Sequence, residues 1–151
     1  MKREEEVARR CELFERQGWF PVRWAHHPEP VKQVFRLAGF RPMGKMCFRN
    51  AQKFVIAHDR LAHSGRIAPI DGLTYVEGIA FGVIPFVHGW IRIGDVDVDL
   101  TLDGPTKQTT EHAYAVSMHE VYRSCARGFY QPVDENRLQR LLLEFCGLRF
   151  K

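Results

Sequence analysis

Three residues of this chain have the types and the order that nucleophilic catalysis by a thiol needs. Cys47 is followed 41 residues later by His88, and Asp99 lies 11 residues beyond the histidine. A thiol acts as a nucleophile after losing its proton, which a neighbouring imidazole can accept. A carboxylate next to that imidazole can hold it in the required orientation. The sequence therefore predicts a Cys47 nucleophile, a His88 base and an Asp99 orienting acid.

Cys47 is predicted to lie in the first turn of a helix over about 46–62. Apolar and histidine side chains recur there at helical spacing: Cys47, Ala51, Phe54, Val55, His58 and Leu61. Unpaired N–H groups and the dipole at a helix start stabilise an anion. We therefore expect the pKa of the Cys47 thiol to be lowered. The same pattern also fits a cysteine that is only the first member of a buried stripe.

The histidine and the acid lie on a predicted β-hairpin with strands at 86–93 and 96–102 and a two-residue turn between them. Because side chains alternate across a strand, His88, Asp97 and Asp99 share one face, and the other face is apolar. Asp99 is then the diagonal neighbour of His88, whereas Asp97 lies opposite an arginine. We therefore choose Asp99 rather than Asp97 as the partner of the histidine.

A further strand is predicted at about 74–82, reversing at 83–85 to pair with the strand that carries His88. Pairing across this turn places Glu77 opposite Trp90, on the face of the histidine. A carboxylate inside an apolar strand needs a partner, since burying it unpaired is costly. Two interpretations remain open, a contact with an arginine or the substrate, and a structural salt bridge or edge position.

The remaining elements complete an α+β fold, in which a small antiparallel sheet of three to five strands packs against helices in a single domain over 1–151. Apolar periodicity and capping residues predict helices at 3–17, 30–38, 118–128 and 134–146, and a strand at 111–118. Residues 19–24 are expected to be extended or irregular. The pair His26-His27 is interpreted as a solvated turn.

Composition limits the class of protein. The 151 residues are 45% hydrophobic and 26% charged, which is typical of a soluble globular domain. No apolar run approaches the roughly 20 residues of a membrane span, and the charged N-terminus leads into no signal region, so we expect a cytoplasmic protein with no membrane partner. A net charge of +4 is compatible with an anionic partner, but no motif of a nucleic-acid-binding module is present.

The cysteine pattern gives no sign of a metal or a disulfide framework. The four cysteines are widely spaced, and no two of them form a CxxC pair: Cys11, Cys47, Cys125 and Cys146. This spacing matches neither a zinc knuckle nor a disulfide-rich scaffold. We expect no metal and no cofactor, with the three cysteines other than Cys47 serving as ordinary buried thiols.

Four short motifs carry a resemblance to known proteins: Cys-Phe-Arg-Asn-Ala at 47–51, Tyr-Val-Glu-Gly at 75–78, His-Gly-Trp at 88–90 and Val-Asp-Leu-Thr at 98–101. Together they resemble a small family of uncharacterised bacterial and phage proteins. That family's pattern is in turn similar to the Cys, His-Ala-Trp and Asp-Pro-Thr elements of papain-like and transglutaminase-like cysteine enzymes. The match covers about residues 44–101. The resemblance implies a papain-like or transglutaminase-like core with a Cys-His-Asp triad.

The resemblance also implies three further site positions, Asn50, Glu77 and Trp90, which we take as candidate binding residues. The chain departs from the family pattern at two positions, where Gly89 replaces alanine and a leucine replaces the proline after the acid. Arg41 stands where papain-like enzymes carry an amide side chain that stabilises the oxyanion. The oxyanion site is therefore less defined by the sequence than the triad.

These observations favour a cysteine-dependent hydrolase or acyl transferase that acts on an amide or related acyl bond in an unidentified protein, peptide or small amide. The alternative is a non-catalytic binding protein on a papain-like core, of phage or effector type. A third hypothesis, a metal site formed by Cys47, His88 and Asp99 with an open fourth position, has the least support. Unusual reactivity of Cys47 would separate the first hypothesis from the second.

Overall fold

Five helices and six strands make up the described part of the chain, which covers residues 3–16, 18–81, 85–101, 109–129 and 131–150 of a computed structural model. In chain order the elements are α1 (Arg3–Arg16), β1 (Trp19–Pro21), β2 (Trp24–Ala25), α2 (Glu29–Ala38), α3 (Cys47–His63), β3 (Leu73–Phe81), β4 (Pro85–Ile93), β5 (Val96–Val98), β6 (Thr109–Val116), α4 (Met118–Cys125) and α5 (Glu135–Phe150). The fold is α+β, as the sequence predicts. None of the helices in the described part is long and apolar enough to cross a membrane.

The strands form one sheet in the order β1-β6-β3-β4-β5-β2. Neighbouring strands are antiparallel except β2 and β5, which run parallel. The prediction of three to five antiparallel strands is therefore wrong in number and in this one pairing. The additional strands are β1 and β2 at the two edges, of three and two residues. Strands this short show no alternation in the sequence, so 19–24 reads as irregular.

The β4–β5 hairpin has the predicted register. Arg92 pairs with Asp97 across the two-residue turn, and Gly94 in that turn adopts φ 63°, which glycine tolerates without strain. The β5 ladder ends where Ile91 pairs with Val98, whereas the sequence predicts a strand up to residue 102, which lies outside the described residues. Next to His88, no described residue therefore pairs with β4 on the side of β5.

The β3–β4 register differs from the prediction by one residue. Glu77 pairs with Gly89, and Gly78 pairs with His88. A shift of one residue moves a side chain to the other face of the sheet, so Glu77 lies on the face opposite His88 and the predicted placement is wrong. The turn residues themselves, 82–84, lie outside the described residues.

The two faces of the sheet are packed differently. On one face α3 contributes the largest group of buried side chains, among them Ala51, Phe54 and Val55, which pack with apolar residues of β3, β4 and α5. Each fully buried large apolar side chain contributes about 1.5–3 kcal/mol. The other face carries a smaller aromatic cluster around Trp90, packed against Trp24.

A close approach at Gly89 fixes the start of α3 against β4. A Cβ at this glycine would lie 2.7 Å from Cδ1 of Phe48 and 3.2 Å from the hydroxyl oxygen of Tyr75. Phe48 directly follows Cys47 and is 9% exposed. The absence of a side chain at residue 89 therefore lets the first turn of α3 lie flat on the strand that carries the histidine.

The cap of α4 confirms a second local prediction. Ser117 Oγ accepts from the Glu120 backbone N–H, and the Glu120 carboxylate accepts from the Ser117 N–H. The helix ends at Cys125, three residues before the predicted end. Cys125 is half-buried and, like Cys47, forms no disulfide. The side chains of Cys11 and Cys146 lie outside the described residues.

Candidate active site

Cys47 occupies the first position of α3 and is half-buried. The capping residue Met46 makes no side-chain cap, and the first turn contains no acidic residue. The first backbone bond of the helix runs from the Asn50 N–H to the Met46 carbonyl at 2.8 Å. The N–H groups that precede Asn50 have no partner within the helix by its geometry. Because Cys47 lies in this first turn, these N–H groups are candidates for an oxyanion site.

His88 and Asp99 form a buried pair. His88 Nε2 donates to Asp99 Oδ2 at 2.7 Å, with side-chain exposures of 4% and 2%. Because Nε2 faces the acid, Nδ1 is the nitrogen left to face Cys47, which lies close enough to the imidazole to raise its pKa. The three predicted residues therefore come together as a relay with the histidine in the middle.

The charges of this relay stabilise a protonated histidine. Burial alone would lower the pKa of His88, but hydrogen bonds and charge interactions with Asp99 and Cys47 outweigh it and raise the pKa from 6.5 to about 9. At neutral pH the imidazole therefore carries a proton. An imidazolium next to the sulfur favours the thiolate, which is the reactive form of cysteine.

Asp99 is oriented by two further contacts. Its Oδ1 accepts from the Thr101 backbone N–H at 2.9 Å, and its backbone carbonyl accepts from His27 Nε2 at 2.6 Å. His27 is thus a support of the acid, and its interpretation as part of a solvated turn is wrong. Its contact joins residues 72 positions apart, so no local pattern could reveal it.

Asp97 does not contact His88 but makes a separate set of contacts. This agrees with the prediction that Asp99 is the partner of the histidine. Its Oδ1 accepts from Trp90 Nε1 at 2.8 Å, and its Oδ2 accepts from the Arg23 backbone N–H at the same distance. The Arg92 guanidinium lies 3.9 Å away. Burial raises the pKa of Asp97, and these donors partly offset that effect. Asp97 therefore fixes the indole ring and the β2 edge.

Asn50 joins α3 to the residues around Asp99. It is fully buried. Its Oδ1 accepts from the Met43 N–H at 2.9 Å, and its Nδ2 donates to the Met43 carbonyl at 2.9 Å and to Thr101 Oγ1 at 3.0 Å. Thr101 in turn holds Asp99, so this amide connects the loop before Cys47 with the acid of the relay.

Trp90 lies directly beside the histidine. Its ring centroid is 5.6 Å from that of His88 and 5.0 Å from that of Trp24, and the residue is fully buried. Packing between aromatic rings at such distances restricts their rotation. Trp90 therefore limits the orientations of the imidazole and presents no surface to solvent.

Glu77 is the centre of a second buried network on the opposite face. Its carboxylate accepts from the hydroxyls of Tyr75 at 2.7 Å and Tyr114 at 2.9 Å, and from the N–H groups of Val133 at 2.8 Å and Asp134 at 3.3 Å. Burial raises the pKa of Glu77, while these four donors oppose the shift. The last two donors lie just before α5, so the carboxylate ties that helix to the sheet.

The three candidate binding residues are therefore all interior. Asn50, Glu77 and Trp90 have no exposed surface, and the arginine or substrate contact considered for Glu77 is replaced by tyrosine and backbone donors. Their roles in this structure are to position other groups. Tyr75 lies two residues before Glu77 on β3, so strand alternation places both side chains on one face, whereas Tyr114 reaches Glu77 only through the pairing of β3 with β6.

Comparison of the chain with protein-family models, with curated proteins and with solved structures finds no match. The function is therefore argued from the geometry of the site. Among the side chains that the structure describes, no group of three or more His, Cys, Asp or Glu residues could hold a metal ion. An imidazole that interacts with both a cysteine and a carboxylate has the partners that activation of a thiol requires.

Proposed function

We propose that this chain is a cysteine-dependent hydrolase or acyl transferase that acts on an amide or related acyl bond. The observation that carries the proposal is the buried His88–Asp99 hydrogen bond, with Cys47 close enough to the same imidazole to raise its pKa. A papain-like or transglutaminase-like core is part of this proposal, supported by the short sequence motifs and by the position of Cys47 at the start of α3. We place the activity in the cytoplasm, where reducing conditions keep the thiol free.

In this proposal the Cys47 thiolate attacks the acyl carbon, so a C–S bond forms and the carbonyl electrons move to the oxygen. The free N–H groups at the start of α3 stabilise the oxyanion. His88 gives its proton to the leaving nitrogen as the C–N bond breaks, leaving a thioester. A water molecule or an amine then attacks the thioester, His88 accepts its proton, and the thiolate is released.

Alkylation by iodoacetamide tests the activation of Cys47 without a known substrate. At pH 6.5 an ordinary thiol is only about 1% ionised. We expect Cys47 to react at least about tenfold faster than in His88→Ala, as measured by mass spectrometry of the labelled peptide. Cys125 is an internal comparison, because burial raises the pKa of its thiol. Slow labelling that is independent of His88 would instead favour a non-catalytic binding protein.

Substitutions of the two acids test the assignment within the relay. Asp99→Asn should slow alkylation of Cys47 more than Asp97→Asn, because only the first weakens the imidazolium. The reverse order would contradict the role of Asp99. In any substrate screen, Cys47→Ala should abolish activity while retaining the far-UV circular dichroism of the wild type. Retained activity in that variant would exclude the nucleophile.

A further inference from the structure

The positive charge of the chain is concentrated around the candidate nucleophile. Residues 30–58 contain six of the 22 Lys and Arg residues and none of the 18 Asp and Glu residues. This segment therefore carries +6, and the remainder of the chain carries −2, which together give the net +4. Cys47 lies within this segment, so the charged side chains nearest to it along the chain are all positive.

Three of these cations flank Cys47 closely. Arg41 and Lys45 are exposed in the loop before α3, and Arg49 is half-buried in its first turn. Within the described ranges none of the three forms a salt bridge, whereas Arg36 in the same segment pairs with Glu29 at 2.7 Å. These three charges are therefore not neutralised by described carboxylates of the protein.

Arg49 has the most defined position of the three. Among the residues that the structure describes, its guanidinium makes one long hydrogen bond, from Nη1 to Asn50 Oδ1 at 3.4 Å. That amide also bonds Thr101, which orients Asp99. The guanidinium thus lies where the first turn of α3 meets the residues that hold Asp99. A guanidinium presents five N–H donors in a planar fork that suits a carboxylate, and this single contact uses only one.

We propose that the site takes an anionic acyl substrate, with a carboxylate close to the reacting acyl group that pairs with Arg49. This inference rests on the proposed function, since it names the substrate class of the same cysteine. Arg41 and Lys45 contribute long-range attraction, and Arg49 contributes the directional contact. A neutral amide of the same shape would gain neither interaction.

Two alkylating reagents of nearly equal size test the charge preference. Iodoacetate is an anion and iodoacetamide is neutral, and with each the thiolate forms a C–S bond while iodide leaves. The ratio of the two rate constants at Cys47 reports the local preference for an anion. We expect Arg49→Gln to lower this ratio by roughly threefold to tenfold at low salt, and we expect 1 M salt to reduce the difference between the variants.

Arg60→Gln is the matched control. Arg60 lies on the same helix and is exposed, and its substitution removes the same charge at about 20 Å from Cys47 along α3. It should leave the ratio within about twofold of the wild type, and Arg49→Lys should recover part of the ratio by keeping the charge. An unchanged ratio in Arg49→Gln, or an equal loss in Arg60→Gln, would overturn the proposal.

The two proposals fail in different ways. If iodoacetamide labels Cys47 slowly and without dependence on His88, the catalytic proposal fails, but the ratio of the two reagents still reports the field at the thiol. If labelling is fast and depends on His88 while the ratio does not depend on Arg49, the cysteine enzyme stands and the anionic substrate class is wrong.

Discussion

The raised pKa of His88 makes the stability of the folded protein depend on pH. The pKa lies at about 9 in the folded chain, against 6.5 for an unperturbed histidine. The folded state therefore binds this proton more tightly than the unfolded state. The resulting stabilisation is complete below pH 6.5 and is lost as the pH rises through 9. At about 1.4 kcal/mol per pKa unit, the loss is about 3 kcal/mol.

Urea unfolding of the wild type and of His88→Gln at several pH values measures this contribution. Glutamine keeps an N–H donor for Asp99 but does not titrate. Groups that do not interact with His88 ionise in both proteins, so the difference between their free energies of unfolding reports His88 together with Cys47. Between pH 6.5 and 9 we expect the wild type to lose up to about 3 kcal/mol more than His88→Gln. The loss is smaller where the folded state already holds Cys47 as a thiolate, because the unfolded thiol then carries the proton that the folded histidine holds.

A second variant tests the cause of the shift. Cys47→Ala removes one of the two partners that raise the pKa of His88, and it also removes the cysteine whose thiol ionises near about pH 8.5 in the unfolded chain. The excess loss of Cys47→Ala over Cys47→Ala/His88→Gln should therefore be centred below pH 9. Parallel curves for these two variants from pH 6.5 to 9 would refute a charged His88–Asp99 pair.

Three further substitutions test the supports of the site. Gly89→Ala should destabilise the protein by about 1–3 kcal/mol in urea unfolding, since the new Cβ meets Phe48 at 2.7 Å; failure of Phe48→Leu to restore part of the loss would contradict this contact. Thr101→Val should reduce iodoacetamide labelling of Cys47 and Thr101→Ser should not, because serine can still accept from Asn50; equal rates would argue against the connection. Glu77→Ala should cost about 3 kcal/mol or more by leaving four donors unpaired, and Glu77→Gln should cost less, as measured by thermal unfolding.

Local physics explains which parts of the site could be predicted from sequence. The α3 helix follows from apolar residues repeating along 17 residues, which one amphipathic face satisfies. The pairing of His88 with Asp99 follows from a two-residue turn, which fixes the register of everything beside it. In both cases the information lies within one element or one tight turn.

The failures have a common cause in long-range pairing. Phe81 pairs with Pro85, so three residues, 82–84, separate the paired ends of β3 and β4, one more than predicted. This difference of one residue places Glu77 on the other face of the sheet. The contact of His27 with Asp99 depends on the short β2 strand lying parallel to β5. Neither arrangement leaves a periodic signal, because each depends on contacts between segments that are far apart in the sequence.

The supports of the site also indicate what Asn50 contributes. Its three good hydrogen bonds are worth about 3 kcal/mol together, and a buried leucine of similar size would give about 1.5–3 kcal/mol by apolar burial. Stability alone therefore gives little reason for an amide in this position. A leucine could not bond Thr101, and the link between the loop before Cys47 and the turn that holds Asp99 would be lost. Apolar packing at Gly89 brings the start of α3 close to β4 but does not orient Cys47 relative to Asp99. We infer that the Asn50 amide serves this alignment.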